Sequence, residues 1–203
     1  MPAPSPWRLD PARSELLLHT TRAVAAAISA VDPYMVGHAE RVAEYADAVA
    51  RLLPLSAQDR FLLFITASFH DIGNLATPTY ILRKPSALAE DEMEEVRVHP
   101  VRGASVFAGD SGLAEVARAI RHHHERLDGS GYPDGLRGEA IPLFSRIILV
   151  AETYEALTHH RSYRRAISHE EAIARLRESA GTQFDARVVE HFVAAVGADP
   201  KPP

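Results

Sequence analysis

Apolar residues recur at helical spacing along nearly all of this 203-residue chain, and no stretch alternates apolar with polar residues as a half-buried strand would. That pattern restricts the fold to the all-α class. Prolines set the punctuation. An Ala-rich helix is expected over residues 14–31, and Pro33 breaks it. A second helix fits 36–53, with Val42, Tyr45, Ala46 and Val49 on one face, and Pro54 closes it. A third, 57–70, carries the densely apolar run FLLFITASF, reads as buried, and ends at HDIG. After a loop with Pro78 and Pro85 comes an acidic amphipathic helix over 89–98, its acidic first turn suited to the positive end of the helix dipole. Helices over 100–107 and 113–124 follow, the second delivering His122, His123 and His124. Residues 128–142 are rich in glycine with two prolines, which demands an irregular loop. Beyond it, 145–158 is helical. Ser168 and Glu171 form a capping-box pattern for a helix to about residue 180, and Asp185 is the expected N-cap of a last helix to Val196.

A hydrophobic fraction of 46% suffices for one core. The expected division is an N-terminal segment, 1–31, with one helix packing on the domain; a main domain, 32–197; and a disordered tail, 198–203. The apolar face of the first helix either covers the domain's own core, the reading favoured, or pairs with a second copy as a homodimer. Net charge is −5 with both signs mixed along the chain, which argues against a DNA or RNA polymer as partner while leaving room for a local Arg cluster that holds a small anion. The chain has no cysteine, so disulfides, thiolate zinc sites and a cysteine nucleophile are excluded together. No apolar run is long enough to span a bilayer, and the Pro-rich start MPAPSPWRLDP lacks a signal peptide's apolar stretch. A cytoplasmic protein without membrane partners is the expectation.

Eleven histidines stand out, and histidine is both the commonest neutral metal ligand and an ordinary surface residue. Placement decides between the two. His70-Asp71 puts two ligand types at the end of a hydrophobic helix, where charged groups need partners or a metal. His38, His99, His123-His124 and Glu152 lie on separate predicted helices, the way a helical bundle builds a metal site from inward-facing side chains. The segment HHERLDGSGYPDGLRG, residues 123–138, begins at paired histidines, which places a long loop over such a site; Gly129, Gly131 and Pro133 fix its path and Tyr132 offers a hydroxyl.

The HDIG pair, the HHERLDGSGYP stretch and the segment IPLFSRIILVAETYEALTHHRSYR resemble the HD-GYP family, a subgroup of the HD superfamily of metal-dependent phosphohydrolases. The resemblance covers residues 32–192. It implies a helical HD-domain bundle with the Gly-rich GYP loop over the metal site. It also implies hydrolysis of cyclic di-GMP to pGpG, GMP or both, some members acting on cyclic GMP-AMP. By motif position, His38 of DPYMVGHAE is the first histidine, His70 and Asp71 are the HD pair, His99 precedes Pro100, and His123 and His124 are the paired histidines. Glu152 of VAETYEAL falls on the last carboxylate position, and His122 is an extra, structural neighbour. The resemblance then implies two divalent metal ions. His38, His70, Asp71 and Glu152 hold one; Asp71 bridges to a second held by His99, His123 and His124; and Asp71 with His70 forms the catalytic pair. Two metals about 3.5–4 Å apart clamp phosphate oxygens and lower a water's pKa from about 15.7 toward roughly 7. Imidazole and carboxylate ligands suit iron, manganese, zinc or nickel. Members with three metals carry a Glu four residues before the first histidine, where Tyr34 stands here.

Arg161 and Arg164 match positions that contact substrate phosphate, and Tyr132 contacts substrate or shapes the pocket. Regulatory protein partners are expected through the GYP loop. Two departures matter. Asn74 stands where the family's HDIGK has a phosphate-binding Lys, although its amide still donates hydrogen bonds; and Glu152 replaces Asp, one methylene longer. Glu155 replaces a further Asp, with a supporting role. Three readings stay open: an active cyclic-dinucleotide phosphodiesterase, which is favoured; a binding or regulatory module with little turnover; and an HD-domain enzyme with another substrate.

Overall fold

The computed structural model describes residue 15 and residues 19–27, 35–160 and 165–197. Among these, helices carry the fold and no β-strand occurs; the nearest approach to one is an isolated parallel bridge between Ala180 and Phe184. No described helix is long and apolar enough to cross a membrane. Of the expected N-terminal helix, residues 19–27 are helical, with Thr21 and Ala25 buried. The expected tail, 198–203, lies outside the described residues.

Nine further α-helices occur among the described residues, in chain order: α1 (His38–Ala50), α2 (Ala57–Phe69), the short α3 (Thr79–Leu82), α4 (Glu90–Arg97), α5 (His99–Phe107), α6 (Ala114–Arg121), α7 (Leu143–Thr158), α8 (His169–Glu178) and α9 (Ala186–Val196). Helix α7 is the hub. Phe144, Ile147, Ile148, Val150, Ala151, Tyr154 and Leu157 are all buried, so it is covered on nearly every side, as a central core helix must be. It packs against α1, α8 and α9, and α1 packs in turn on α2. Tyr45 of α1, Tyr154 of α7 and Phe192 of α9 meet ring to ring with centroids 5.0–5.8 Å apart. Each fully buried side chain of this size contributes about 1.5–3 kcal/mol. Polar ties set the register between helices. Ser145 Oγ donates to the Ala119 carbonyl at 2.8 Å, and Arg146 meets Asp185 at 2.6 Å.

The helix starts follow local chemistry. Ser56 and Asp59 form a reciprocal capping box on α2. The Ser168 hydroxyl accepts the Glu171 amide at 3.2 Å, and Asp185 accepts the Arg187 amide at 2.9 Å. Two expectations need correction. The loop after Asn74 contains the single turn α3, and the helix expected over 113–124 ends at Arg121. The second difference has a visible cause. His122 and His123 turn their Nδ1–H groups onto the carbonyls of Arg118 and Ile120, so side chains take acceptors that continuing backbone amides would have used.

Candidate metal centre

One local device aims three imidazoles. His70 follows α2, His99 follows α4, and His123 follows α6. Their Nδ1–H groups donate to the carbonyls of Ala67, Val96 and Ile120 at 2.7, 2.7 and 2.6 Å. Each acceptor lies three residues back, among the carbonyls a helix end leaves without an intrahelical amide. With the proton on Nδ1, a neutral ring turns the Nε2 lone pair the other way, into the bundle. His38 is the first residue of α1. Its Nδ1–H donates instead to Oε2 of the buried Glu155 at 2.6 Å.

The Nε2 atoms converge. Those of His38 and His70 are 3.3 Å apart, and those of His99 and His123 are 3.2 Å apart. Asp71 stands between the two pairs. Its Oδ2 is 3.5 Å from His70 Nε2 and 3.8 Å from His38 Nε2, while its Oδ1 is 3.2 Å from His99 Nε2. Donor atoms of Asp71, His99, His123 and His124 form one group, and those of His38, His70 and Glu152 another; within each, all lie within 4.8 Å of one another. This is the division that the resemblance implies, with Asp71 turning one oxygen toward each half.

The chemistry of these atoms fits a metal. Two Nε2 lone pairs at such distances repel unless a proton or a cation lies between them. Glu152 Oε2 is buried without a hydrogen-bond partner, 4.0 Å from His124 Nδ1. A buried carboxylate oxygen in that state is costly unless something positive reaches it. Burial, reinforced by neighbouring rings, holds His123 well below the usual histidine range. Burial also brings His124 down to about 4, against the pull of Glu152. Both rings are therefore neutral near pH 7, as ligands must be. Burial pushes the Asp71 carboxyl up, but His70, His99 and His38 outweigh it and keep the group ionised. For His99 burial opposes the charged form, yet the hydrogen bond and charge of Asp71 outweigh it and raise its pKa.

Gly73 allows the approach of the HD segment. A Cβ at that position would lie 1.9 Å from the His99 carbonyl oxygen and 2.7 Å from the Gly103 amide nitrogen. The turn Ile72–Ala76 thus presses backbone to backbone on α5, which brings Asp71 to His99. Asn74, expected to meet substrate, donates its Nδ2–H to Asp71 Oδ1 at 3.0 Å, and its own Oδ1 is buried without a partner.

The GYP loop is irregular and held from beneath. Buried Glu125 accepts the amides of Asp134 and Leu136 at 2.7 and 3.1 Å. Asp134 receives a forked pair of bonds from Arg121, both 2.8 Å, and lies 2.9 Å from His122 Nε2. His122, Glu125 and Asp134 approach one another as closely as the ligand groups do. Their atoms are already engaged with the loop and with Arg121, so this cluster is a clasp. Gly131 lies where a Cβ would sit 2.3 Å from the Arg126 amide nitrogen, and the Tyr132–Pro133 bond is cis. Tyr132 stacks on His124, ring centroids 4.8 Å apart and planes at 28°. Burial first, then Glu152 and Asp71, push its phenol well above the usual range, so it remains a proton donor.

Arg161 and Arg164 lie outside the described residues, as does Tyr34. Sequence reasoning passed over Arg41, Glu125, Asp134 and Arg121. Arg41 stands one helical turn after His38, and its Nε and Nη2 donate to Glu155 Oε1 at 3.0 and 2.5 Å. The spacing was the one available signal, since the partner is 114 residues away.

Comparison with known proteins gives a consistent picture. A family model described as HD domain matches residues 22–188, beginning inside the segment expected to precede the domain. The 3′3′-cGAMP-specific phosphodiesterase 3 of Vibrio cholerae is 40% identical over 158 residues, 78% of this chain and 34% of that protein. The cyclic di-GMP phosphodiesterase response regulator RpfG of Xanthomonas campestris pv. campestris is 42% identical over 153 residues, 74% of this chain and 40% of that protein. The chain therefore spans less than half the length of either relative. The crystal structure of a cyclic GMP-AMP specific phosphodiesterase of Vibrio cholerae matches with a TM-score of 0.72, over 91% of this chain and 49% of that one. At 23% identity that likeness shows the fold alone.

Proposed function

This chain belongs to the HD domain family, within its HD-GYP group, and we propose from that membership that it hydrolyses cyclic di-GMP to pGpG, GMP or both. The observation that carries the reading is Asp71, with one oxygen toward His38 and His70 and the other toward His99. A shared carboxylate between two donor groups suits two divalent ions. His38, His70, Asp71 and Glu152 would hold one, and Asp71, His99, His123 and His124 the other. Iron, manganese, zinc or nickel ions bound there supply Lewis acidity to the phosphoryl group and an acidified water at neutral pH.

The chain's own residues do the rest. They hold the phosphodiester so that water oxygen bonds to phosphorus as the P–O bond to the ribose breaks, and the leaving oxygen takes a proton. Asp71 and His70 are the pair on which this depends. Tyr132 offers an O–H to an anionic oxygen, and Arg161 and Arg164 are the proposed phosphate contacts. The cyclic dinucleotide class is supported by relatives named for cyclic di-GMP and for 3′3′-cGAMP. A cytoplasmic setting belongs to the same reading.

Asn74 favours a second reading. A neutral amide turned onto Asp71 leaves its position without a cation for substrate phosphate, which suits a module that binds the nucleotide and turns it over slowly. One assay separates the two. Bound metal is measured in the purified protein, and cyclic di-GMP and 3′3′-cGAMP are followed by chromatography with added Mn²⁺ or Fe²⁺. Linear product is expected from wild type and none from Asp71→Ala. Stoichiometric binding without product would favour the module, and no binding at a metal-filled site would defeat both readings.

A further inference from the structure

We propose that the Arg41–Glu155 ion pair is a positioning device that sets the metal affinity of the His38–His70–Glu152 group separately from that of its neighbour. The inference rests on the two-ion reading above. Its basis is an asymmetry. His70, His99 and His123 turn Nδ1–H onto backbone carbonyls of the helix end behind them. Such acceptors are part of the fold and carry no net charge. His38 differs: the acceptor on its Nδ1–H is a side-chain carboxylate. Glu155 provides it from α7 at 2.6 Å, and it is 1% exposed.

A buried carboxylate needs a counter-charge. Arg41 provides it from α1 through two donors to Glu155 Oε1, with its Nη1 on the Val36 carbonyl at 3.3 Å. The result is a chain, Arg41 to Glu155 to His38, that fixes the Nδ1–H tautomer, aims Nε2 inward, and makes the ring a stronger donor than a backbone carbonyl would. This chain of contacts reaches the ligand groups at His38, so its effect falls first on the ion that His38 would hold. Loss of such a supporting partner lowers metal affinity by about 10–100-fold.

The test titrates Mn²⁺ into metal-free wild type, Glu155→Gln and Arg41→Gln, counting bound ions by equilibrium dialysis and locating them by anomalous scattering from soaked crystals. Glutamine keeps an acceptor for His38 and removes the charge. Glu155→Gln is expected to keep the ion at Asp71, His99, His123 and His124 while the other weakens about 10–100-fold. Arg41→Gln is expected to give a smaller loss that disappears in the Glu155→Gln background, because it acts through Glu155. Should Glu155→Gln fail to fold, Arg41→Gln alone must still weaken one ion and spare the other. Equal weakening of both ions, or two ions at wild-type affinity in both variants, overturns the proposal. A wild-type protein that binds no ion defeats the two-ion reading instead.

Discussion

The Nε2 atoms of His38 and His70 face one another at 3.3 Å, each ring holding its Nδ1 proton on the side away from the other. That arrangement is favourable only with positive charge between the two nitrogens. Removal of divalent ions by a chelator should therefore lower the melting temperature, and Mn²⁺ should restore it. At a free concentration 100 times the dissociation constant, one site adds about 2.7 kcal/mol. Thermal unfolding with and without chelator measures this. His70→Ala should remove the part that comes from the ion at His38, His70 and Glu152, and an unchanged metal response in that variant would remove His70 from the ligand set.

Gly73 should tolerate no side chain. An added Cβ meets three backbone atoms of α5, and none can move without shifting the helix. Gly73→Ala is expected to destabilise the fold by about 1–3 kcal/mol, typical of overpacking. It should also weaken metal binding, because the turn that carries Asp71 has to retreat from His99. Chemical denaturation and metal content measured on one preparation would show both losses together; a stable variant with full metal content would contradict the close approach.

Asn74 is the natural place to change activity. Asn74→Lys restores a cation beside the substrate and retains a donor for Asp71 Oδ1. We expect kcat/KM on cyclic di-GMP to rise, since charge-assisted bonds are roughly twice as strong as neutral ones. Asn74→Leu removes the donor and should cost about 1–3 kcal/mol in the interaction it leaves unmade. Steady-state kinetics on both variants decides; a fall in kcat/KM for the Lys variant would mean that the amide's hold on Asp71 matters more than added charge.

Asp134 gives the loop clasp a defined pH dependence. Hydrogen bonds from Arg121 bring its carboxyl down to about 2, with His122 assisting, below its usual 3.8. A carboxyl depressed in the folded state contributes stability that is present above its unfolded pKa and is lost as pH falls through the folded value. The stability difference between wild type and Asp134→Asn should therefore be constant above about pH 4 and vanish toward pH 2. Denaturant unfolding across that range measures it, and a difference undiminished at pH 2 would place the stabilisation elsewhere.

The chain itself determined the helical class, most helix positions and the residues of the candidate ligand groups. Helical periodicity, proline breaks and caps such as Asp185 are local, and local chemistry can be read from neighbouring residues. The HD pair and the paired histidines were legible because each sits where an apolar helix stops. What lay beyond reach depends on residues far apart in sequence. Nothing near Asn74 indicates that its amide turns onto Asp71, or that Gly73 rests on the His99 carbonyl. The end of α6 at Arg121 follows from imidazoles competing for its last carbonyls, a choice made only once those rings are drawn inward. Arg41 and Glu155 are 114 positions apart and meet because α1 packs on α7. Sequence therefore named the candidate ligands through short-range motifs and the family they resemble, while the partners that orient them were decided by helix packing, which brings distant side chains within hydrogen-bonding distance.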